Sequence, residues 1–204
     1  REVLGFAEEL VREKSDLLVF IGQRARFANQ NLGWLEFGEE VRGIKETKVY
    51  AFKRLIYRPT LEEAQRYLES DTFAWNPGYF VTTPSFILDS YKKFAPGIFE
   101  GVMKIQAASG QNDFENVMRT EYPRLEKISF DNAILEKLSS RDVLVIAADL
   151  GWSDVGAWEA LKEALQITSH ENVTRGKILL NDSTDNLVFN YTDQLAVGID
   201  LSGM

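Results

Sequence analysis

The apolar residues of the chain switch repeatedly between helical and strand-like spacing. Across residues 3–11 they recur every three or four positions, which predicts a helix, and the apolar run 17–21 predicts a short buried strand. Residues 34–37 and 49–56 alternate between apolar and polar positions, which is typical of strands. We expect these two strands to be antiparallel, with their connection around Gly43.

Capping and proline signals mark the starts of the next helices. Thr60 with Glu63 forms a capping box, so a helix is expected from there to about Ser70. Pro84 predicts the start of a second helix, and Pro96-Gly97 predicts its end. Between them, residues 75–80 (Trp-Asn-Pro-Gly-Tyr-Phe) are expected to lead into a strand.

Helices and strands continue to alternate downstream. Helical spacing predicts helices at residues 99–105, 130–138 and 158–165, and a fully apolar run predicts a strand at 143–147. This alternation favours a mixed α/β layer architecture. After His170 the pattern changes to short apolar runs separated by Asn, Asp, Ser and Gly, which indicates a small β-rich unit. We therefore predict two domains, 1–168 and 169–204.

Composition narrows the class of protein. The 204 residues carry a net charge of -8, which disfavours a nucleic-acid-binding protein because such affinity comes mainly from clustered Lys and Arg. The chain has no cysteine and one histidine, His170, so thiolate sites and the common histidine metal sites are excluded. No run approaches the roughly 20 apolar residues of a membrane helix. A soluble cytoplasmic protein is expected.

The loop 151–156 (Gly-Trp-Ser-Asp-Val-Gly) is the strongest candidate for chemistry. It connects a predicted strand to a predicted helix, which is where ligands bind in open α/β sheets. Glycines let the backbone approach a ligand closely, and Asp154 offers the oxygen ligand that Mg²⁺ prefers. The alternative is that Asp154 only caps the helix that follows.

Several motifs in the same order resemble the mannose-1-phosphate guanylyltransferase family of sugar nucleotidyltransferases. The loop 151–156, followed by Trp158, is close to that family's signature. Residues 31–36 (Asn-Leu-Gly-Trp-Leu-Glu) are similar to its Gly-Tyr-Gly-Tyr strand, and Tyr57-Arg58-Pro59 stands where the family has Glu-Lys-Pro. Asn76-Pro77-Gly78 stands where the family has Asn-Ser-Gly, and residues 128–131 (Ile-Ser-Phe-Asp) resemble its Ser-Ile-Asp. The resemblance covers about residues 1–168.

The resemblance implies a fold, a reaction and a cofactor. The fold would be the second half of a Rossmann-like mixed sheet, followed by the start of a small C-terminal domain. The reaction would make GDP-mannose and pyrophosphate from GTP and mannose 1-phosphate, with Mg²⁺ between the phosphates. Asp154 would be the metal ligand, and Arg58 would replace the lysine that contacts the sugar phosphate. Such C-terminal domains often mediate assembly, so a homodimer is one expectation.

The same resemblance assigns the sugar side. Gly33, Asn76 and Gly78 would contact the sugar, Tyr57 would replace a glutamate that binds two hydroxyls, and Asp131 would accept a sugar hydrogen bond. Each has a structural alternative. Gly33 is then a strand kink, Asn76 and Gly78 form a turn, Asp131 belongs to a helix start, and Arg58 is a solvated charge.

The family's N-terminal Gly-Gly-x-Gly-x-Arg-Leu nucleotide loop has no counterpart in these 204 residues. The expectation is therefore a fragment that is inactive alone, supplying the sugar-phosphate side and one metal ligand. Two alternatives stay open. One is a non-catalytic sugar-phosphate-binding or regulatory protein, and the other is a pyrophosphorylase for another sugar 1-phosphate.

Overall fold

A computed structural model of the chain describes residues 2–44, 47–156, 158–168 and 170–204. Its contacts divide the chain into unit 1, Arg1–Leu150, and unit 2, Gly151–Met204, and each is described by itself. The division falls before the helix predicted at 158–165, whereas the sequence favours a domain boundary near 168. That domain boundary stays a prediction.

Unit 1 has its helices and strands largely in the order that the apolar periodicity predicts. Its elements are α1 (Glu2–Glu13), β1 (Leu18–Gln23), β2 (Gly33–Ile44), β3 (Thr47–Tyr57), α2 (Leu61–Leu68), β4 (Phe73–Val81), α3 (Pro84–Phe94), α4 (Pro96–Ala107), α5 (Phe114–Glu121), α6 (Phe130–Ala133) and β5 (Val143–Ala148), with 3₁₀ turns at Tyr122–Arg124 and Leu135–Lys137. The capping box at Thr60 and Glu63 forms as predicted, and Pro84 occupies the first turn of α3.

The strands of unit 1 form one mixed sheet in the order β1-β4-β2-β3-β5. β1 runs parallel to β5, and the other neighbouring pairs are antiparallel. The mixed α/β fold is confirmed. Its closure was not predicted: the pairing of β5 with both β1 and β3 joins the ends of the sheet into a barrel.

Both faces of β1 are buried, which explains its uninterrupted apolar run. Leu18 and Phe20 face a core that includes Leu35 and Leu55 from the neighbouring strands. Val19 and Ile21 face α1, whose buried stripe is Phe6, Ala7, Leu10 and Val11. Burial of this apolar surface is the main driving force for folding of unit 1.

Three local predictions for unit 1 are corrected. Gly43 lies within β2, opposite Lys48, and the connection to β3 falls on residues 45–46, outside the described part of the chain. The motif 75–80 lies inside β4 and does not precede it. The helix predicted at 130–138 is broken at Ile134, whose backbone leaves the helical region (φ -127°, ψ -62°). The break is compatible with packing because Ile134 and Leu138 are both buried.

The described residues of unit 2 form one helix and two small parallel sheets. Its elements are α7 (Trp158–Leu165), β6 (Val173–Arg175), β7 (Ile178–Asn181), β8 (Leu187–Phe189) and β9 (Ala196–Ile199). β6 pairs with β8, and β7 pairs with β9. The predicted β-rich character is therefore present, although β6 was missed because Val173 is the one apolar residue in that strand.

A buried asparagine holds the turns of unit 2 together. Asn186 is fully buried, and its Nδ2 donates to Asn172 Oδ1 at 2.9 Å and to Leu201 O at 3.0 Å. Its Oδ1 accepts from Met204 N at 3.0 Å. Within the described ranges, no helix of either unit is both long and apolar enough to cross a membrane.

Candidate functional site

Three of the predicted sugar-side residues meet in one row across unit 1. Gly33, the first residue of β2, lies opposite Tyr57 on β3 and opposite Asn76 on β4. Directly paired residues of antiparallel strands project from the same face of a sheet. We call Tyr57, Gly33 and Asn76 the row. Its outer strands are two strand spacings apart, or about 10 Å.

The row continues a face of the sheet that is already buried. The next residues along that face are Leu55, Leu35 and Ala74, which are also paired with one another and belong to the core. The exposed fraction of the side chain rises to 39% at Tyr57. The row therefore lies where the core face of the sheet reaches solvent.

Gly33 allows the Asn76 side chain to lie across the sheet. A Cβ built on Gly33 would meet Asn76 Cβ at 3.4 Å and Asn76 Nδ2 at 3.5 Å. These are ordinary contact distances, so alanine would fit, whereas a larger side chain would displace the Asn76 amide. The strand-kink interpretation of Gly33 is unnecessary, because Gly33 pairs regularly with both neighbouring strands.

Asn76 and Gly78 form a tight turn inside β4. The pairing of β4 with β1 is irregular here, since Ile21 lies opposite Tyr79 but Gln23 lies opposite Trp75. Asn76 Oδ1 accepts a hydrogen bond from Gly78 N at 3.1 Å, and Gly78 has a φ of +78° that favours glycine. The turn interpretation is therefore correct for the backbone. Among the described residues, Asn76 Nδ2 has no hydrogen-bond partner and can donate to a ligand.

Arg58 follows the row directly and has an unusual backbone. Its φ of +51° is in the left-handed region that non-glycine residues seldom occupy and that is enriched at functional sites. Its guanidinium carbon lies 5.3 Å from the centroid of the Tyr57 ring, within cation–π range. Arg58 is exposed to solvent, yet its guanidinium lies against the Tyr57 ring at the end of the row.

The capping box fixes the turn that carries Arg58. Glu63 accepts hydrogen bonds from the backbone N and the hydroxyl of Thr60, both at 2.8 Å. These bonds, first the backbone one, lower the pKa of Glu63 below its ordinary value. Pro59, between Arg58 and Thr60, is buried. The backbone of Arg58 is therefore held on both sides, by the strand pairing of Tyr57 before it and by the capping box after it.

Asp131 is not part of the row. It lies in the first turn of α6, whose N-cap Ser129 accepts a hydrogen bond from Asn132 N at 3.2 Å. The neighbouring Phe130 stacks on Phe80 at 5.8 Å. No hydrogen bond within the described ranges joins Asp131 to the row. The geometry is that of the helix start described above as the structural alternative.

Asp154 belongs to unit 2 and is exposed. Its Oδ1 accepts a hydrogen bond from Gly156 N at 3.4 Å, ahead of Trp158 where α7 begins. Ser153 Oγ donates to Ala160 O at 3.1 Å, which ties the loop 151–156 to that helix. In the described part of the chain, no group of three or more His, Cys, Asp or Glu side chains surrounds a common point. Asp154 can thus offer a single carboxylate ligand.

Gln23 is a polar residue that the sequence reasoning missed. It is fully buried at the end of β1, and its Nε2 donates to Asp149 Oδ1 at 3.1 Å. Its Oε1 accepts from Leu150 N at 2.8 Å. It therefore fixes the residues immediately before the loop 151–156. A glutamine closing an otherwise apolar strand was the available signal.

A cavity in unit 1 does not coincide with the row. It has a volume of about 820 Å³ and is lined by α1, by Arg24 and by the end of β5, including Asp149. Among its described lining residues, the carboxylates Glu2, Glu9 and Asp149 outnumber the cation Arg24. Volume alone does not indicate chemistry. We place the sugar-phosphate candidate at the row and Arg58, where donors and a cation meet.

Comparison with known proteins identifies the family of the chain. Residues 4–171 match the nucleotidyl transferase family. Mannose-1-phosphate guanylyltransferase 2 of Escherichia coli O157:H7 is 28% identical over 188 residues, covering 90% of this chain and 39% of that protein. The mannose-1-phosphate guanylyltransferase of Escherichia coli K12 is 30% identical over 155 residues, covering 76% of this chain and 32% of that protein. The chain therefore spans a third to two fifths of these relatives.

Solved structures are similar as well. A crystal structure described as mannose-1-phosphate geranyltransferase from Thermus thermophilus superimposes with a TM-score of 0.75 at 25% identity, covering 99% of this chain and 57% of that one. A structure described as mannose-6-phosphate isomerase from Helicobacter pylori has a TM-score of 0.59 at 24% identity, covering 75% of this chain and 57% of that one, and shows a shared fold. With its family match over most of its length, the chain belongs to the nucleotidyl transferase family.

Proposed function

We propose that this chain forms the sugar-phosphate side and contributes one metal ligand of a GTP:mannose-1-phosphate guanylyltransferase. The observation that carries the proposal is the row with Arg58 at its end. It combines a fixed cation, a phenol and a free amide donor in a member of the nucleotidyl transferase family. Relatives named for this activity strengthen it.

The reaction would be a nucleotidyl transfer. A phosphate oxygen of mannose 1-phosphate attacks the α-phosphorus of GTP and forms a new P–O bond. The bond between the α- and β-phosphates breaks, and its electron pair leaves with pyrophosphate. Such chemistry depends mainly on positioning two anions and on neutralising their charge.

The residues of this chain would divide that work. Arg58 would bind the sugar phosphate, because a guanidinium forms two parallel hydrogen bonds with phosphate oxygens. Asn76 would donate to a sugar hydroxyl, and Gly33 would keep the floor of the row free of a side chain. Asp154 would hold Mg²⁺, which supplies charge neutralisation between phosphates when bound.

Pyrophosphate release with GTP, Mg²⁺ and mannose 1-phosphate tests the proposal in the protein that carries this chain. We expect Arg58→Ala to lower kcat/KM by roughly 10- to 100-fold, since a charge-assisted contact contributes about 1.5–3 kcal/mol. Asp154→Asn should lower it by about 100-fold or more. Arg119→Ala and Asp113→Asn change exposed residues of α5 and its N-cap, and should leave the rate unchanged. Folded protein that releases no pyrophosphate with any sugar 1-phosphate would overturn the enzyme proposal.

A binding or regulatory protein is the second candidate. The observation that favours it is Tyr57-Arg58-Pro59 in place of Glu-Lys-Pro. Such a protein would bind the sugar phosphate with a calorimetric signal abolished by Arg58→Ala, but would release no pyrophosphate. By itself, the chain of 204 residues is proposed to bind the sugar phosphate without catalysing transfer.

A further inference from the structure

We infer that the row and Arg58 recognise their ligand through its phosphate and accept sugar 1-phosphates that are epimers at a ring hydroxyl. This inference rests on the proposed function and names its substrate class. Mannose 1-phosphate and glucose 1-phosphate, which differ only in the configuration of one hydroxyl, should bind with similar affinity.

The hydrogen-bonding groups of the site are mostly donors. Arg58 has five N–H donors and no acceptor. Asn76 Oδ1 already accepts a hydrogen bond from Gly78 N, which leaves both Nδ2 N–H donors and one oxygen lone pair for a ligand. Gly33 has no side chain, so the side-chain acceptors of the row are the remaining lone pair of Asn76 Oδ1 and the oxygen of Tyr57. Its phenol has one O–H and one oxygen.

Donors alone discriminate poorly between hydroxyl configurations. Every sugar hydroxyl carries acceptor lone pairs, so a donor such as Asn76 Nδ2 can pair with either epimer if the ring shifts slightly. Strong discrimination requires a buried group that is left unpaired with the wrong substrate, and only then does the difference reach thousands-fold. A carboxylate that accepts from two hydroxyls together would be such a group, and the row has none.

Solvent exposure weakens discrimination further. Tyr57 is 39% exposed, and Arg58 is also exposed. Where a sugar hydroxyl does not reach one of these side chains, water can take its place as the hydrogen-bond partner. Asn76 is buried, with 9% exposed, and is the one group of the row that could penalise a missing partner. Its amide has one acceptor oxygen, already engaged by Gly78 N, so it lacks the paired acceptor oxygens with which a carboxylate distinguishes neighbouring hydroxyls.

The phosphate, by contrast, meets a held cation. The Arg58 guanidinium lies 5.3 Å from the Tyr57 ring centroid, and its backbone is fixed between strand pairing and the capping box. A group held in place loses less conformational freedom on binding than a flexible side chain does. Charge-assisted hydrogen bonds from Arg58 to phosphate oxygens therefore provide most of the affinity.

Calorimetric titration of the chain with α-mannose 1-phosphate, α-glucose 1-phosphate and inorganic phosphate tests the inference. We expect the two sugar phosphates to have Kd values within about fivefold of each other, the range expected for exposed contacts. Tyr57→Glu should raise the ratio of the two Kd values to about tenfold or more, because a carboxylate accepts from two hydroxyls at once. Tyr122→Glu, an exposed tyrosine in the 3₁₀ turn Tyr122–Arg124, is the matched control and should leave the ratio unchanged.

The outcomes separate this inference from the proposed function. A wild-type preference for one epimer above about 20-fold would overturn the inference and leave the proposed function standing. Binding of neither sugar phosphate beyond inorganic phosphate, by chain shown to be folded by circular dichroism, would overturn the proposed function itself. Because Tyr57→Glu also places a negative charge beside Arg58, Tyr57→Gln is measured alongside it. The Gln variant should keep the wild-type ratio, since a neutral amide offers a single acceptor oxygen.

Discussion

Unit 1 and unit 2 are stabilised in different ways. In unit 1, apolar strand faces close around a core that contains Phe20, Leu35 and Phe52, all almost fully buried. In unit 2, the strands are three or four residues long, and β7 and β9 expose every second residue. Its turns depend instead on Asn186 and on the contacts of Asp185. The row is thus built on a rigid apolar frame, and Asp154 on a unit whose order depends on polar pairs.

Replacing a buried tryptophan of unit 1 is expected to have the largest effect on stability, and an exposed tryptophan of unit 2 serves as its counterpart. Trp34 is fully buried, packs edge-on against Tyr67 and Trp75, and donates to Asn29 O at 2.8 Å. Trp34→Ala should lower the free energy of unfolding by about 3–5 kcal/mol. Trp158→Ala removes a side chain that is 68% exposed and should cost less than about 0.5 kcal/mol. Urea unfolding monitored by circular dichroism measures both, and equal losses would contradict the distinction.

Removing the buried amide of unit 2 should be the next largest effect. Asn186→Ala leaves Asn172 Oδ1, Leu201 O and Met204 N with fewer partners in a buried site. We expect a loss of about 2–3 kcal/mol in the stability of unit 2, because unpaired buried polar groups are costly. Leu179→Ala, an apolar truncation at an exposed position of β7, is the control and should have little effect. Hydrogen exchange of the amides of β6–β9 is the measurement.

Acid should loosen unit 2 through Asp185. Hydrogen bonds from Gln166 and then Lys162 lower the pKa of Asp185 below its ordinary value. A carboxyl with a lowered folded pKa stabilises the fold above its unfolded pKa, near 3.9, and this contribution is lost as pH falls through the lower folded pKa. We expect the stabilisation from the contacts of Asp185 with Gln166 and Lys162 to decline below about pH 4. Asp185→Asn should remove this acid dependence, and NMR titration of the α7 amides would report it.

The smallest effect is expected from backbone strain at Gly78, two residues after Asn76 of the row. Gly78 has a φ of +78° and no atom within 4 Å of a built Cβ, so Gly78→Ala tests conformation without a steric clash. It should cost about 1 kcal/mol. Gly97→Ala has the same open surroundings without the positive φ and should not destabilise the protein. Thermal unfolding of the two variants would refute strain at Gly78 if their midpoints agree.

The sequence predicts elements better than their assembly. Period and capping signals locate α2 and α3 because the information is local, as in the bond from Glu63 N to Thr60 Oγ. The pairing of β1 with β5, which includes Leu18 opposite Val143, closes the sheet. No local sequence pattern indicates it, because the two residues are far apart in the chain. No local signal marks the break at Ile134 either, because the apolar spacing of residues 130–138 continues through it.

The candidate site shows the same division. The resemblance selected Gly33, Tyr57 and Asn76 one by one, and strand pairing brings those three together. It could not indicate that Arg58 is held in the left-handed region, or that Gln23 fixes the residues before the loop 151–156. Roles of Asp154 and Asp131 in ligand binding stay predictions. Such features arise from contacts that no short motif encodes.

The closure of the sheet also sets the order in which unit 1 can fold. β1 is near the start of the chain, yet its partner β5 ends at Ala148, so the barrel cannot close during synthesis until nearly all of unit 1 has been made. Pairing of distant segments is slow because loop-closure entropy must be overcome first. Nascent chains should therefore expose the unpaired edges of β1 and β3 and need protection from aggregation until β5 emerges.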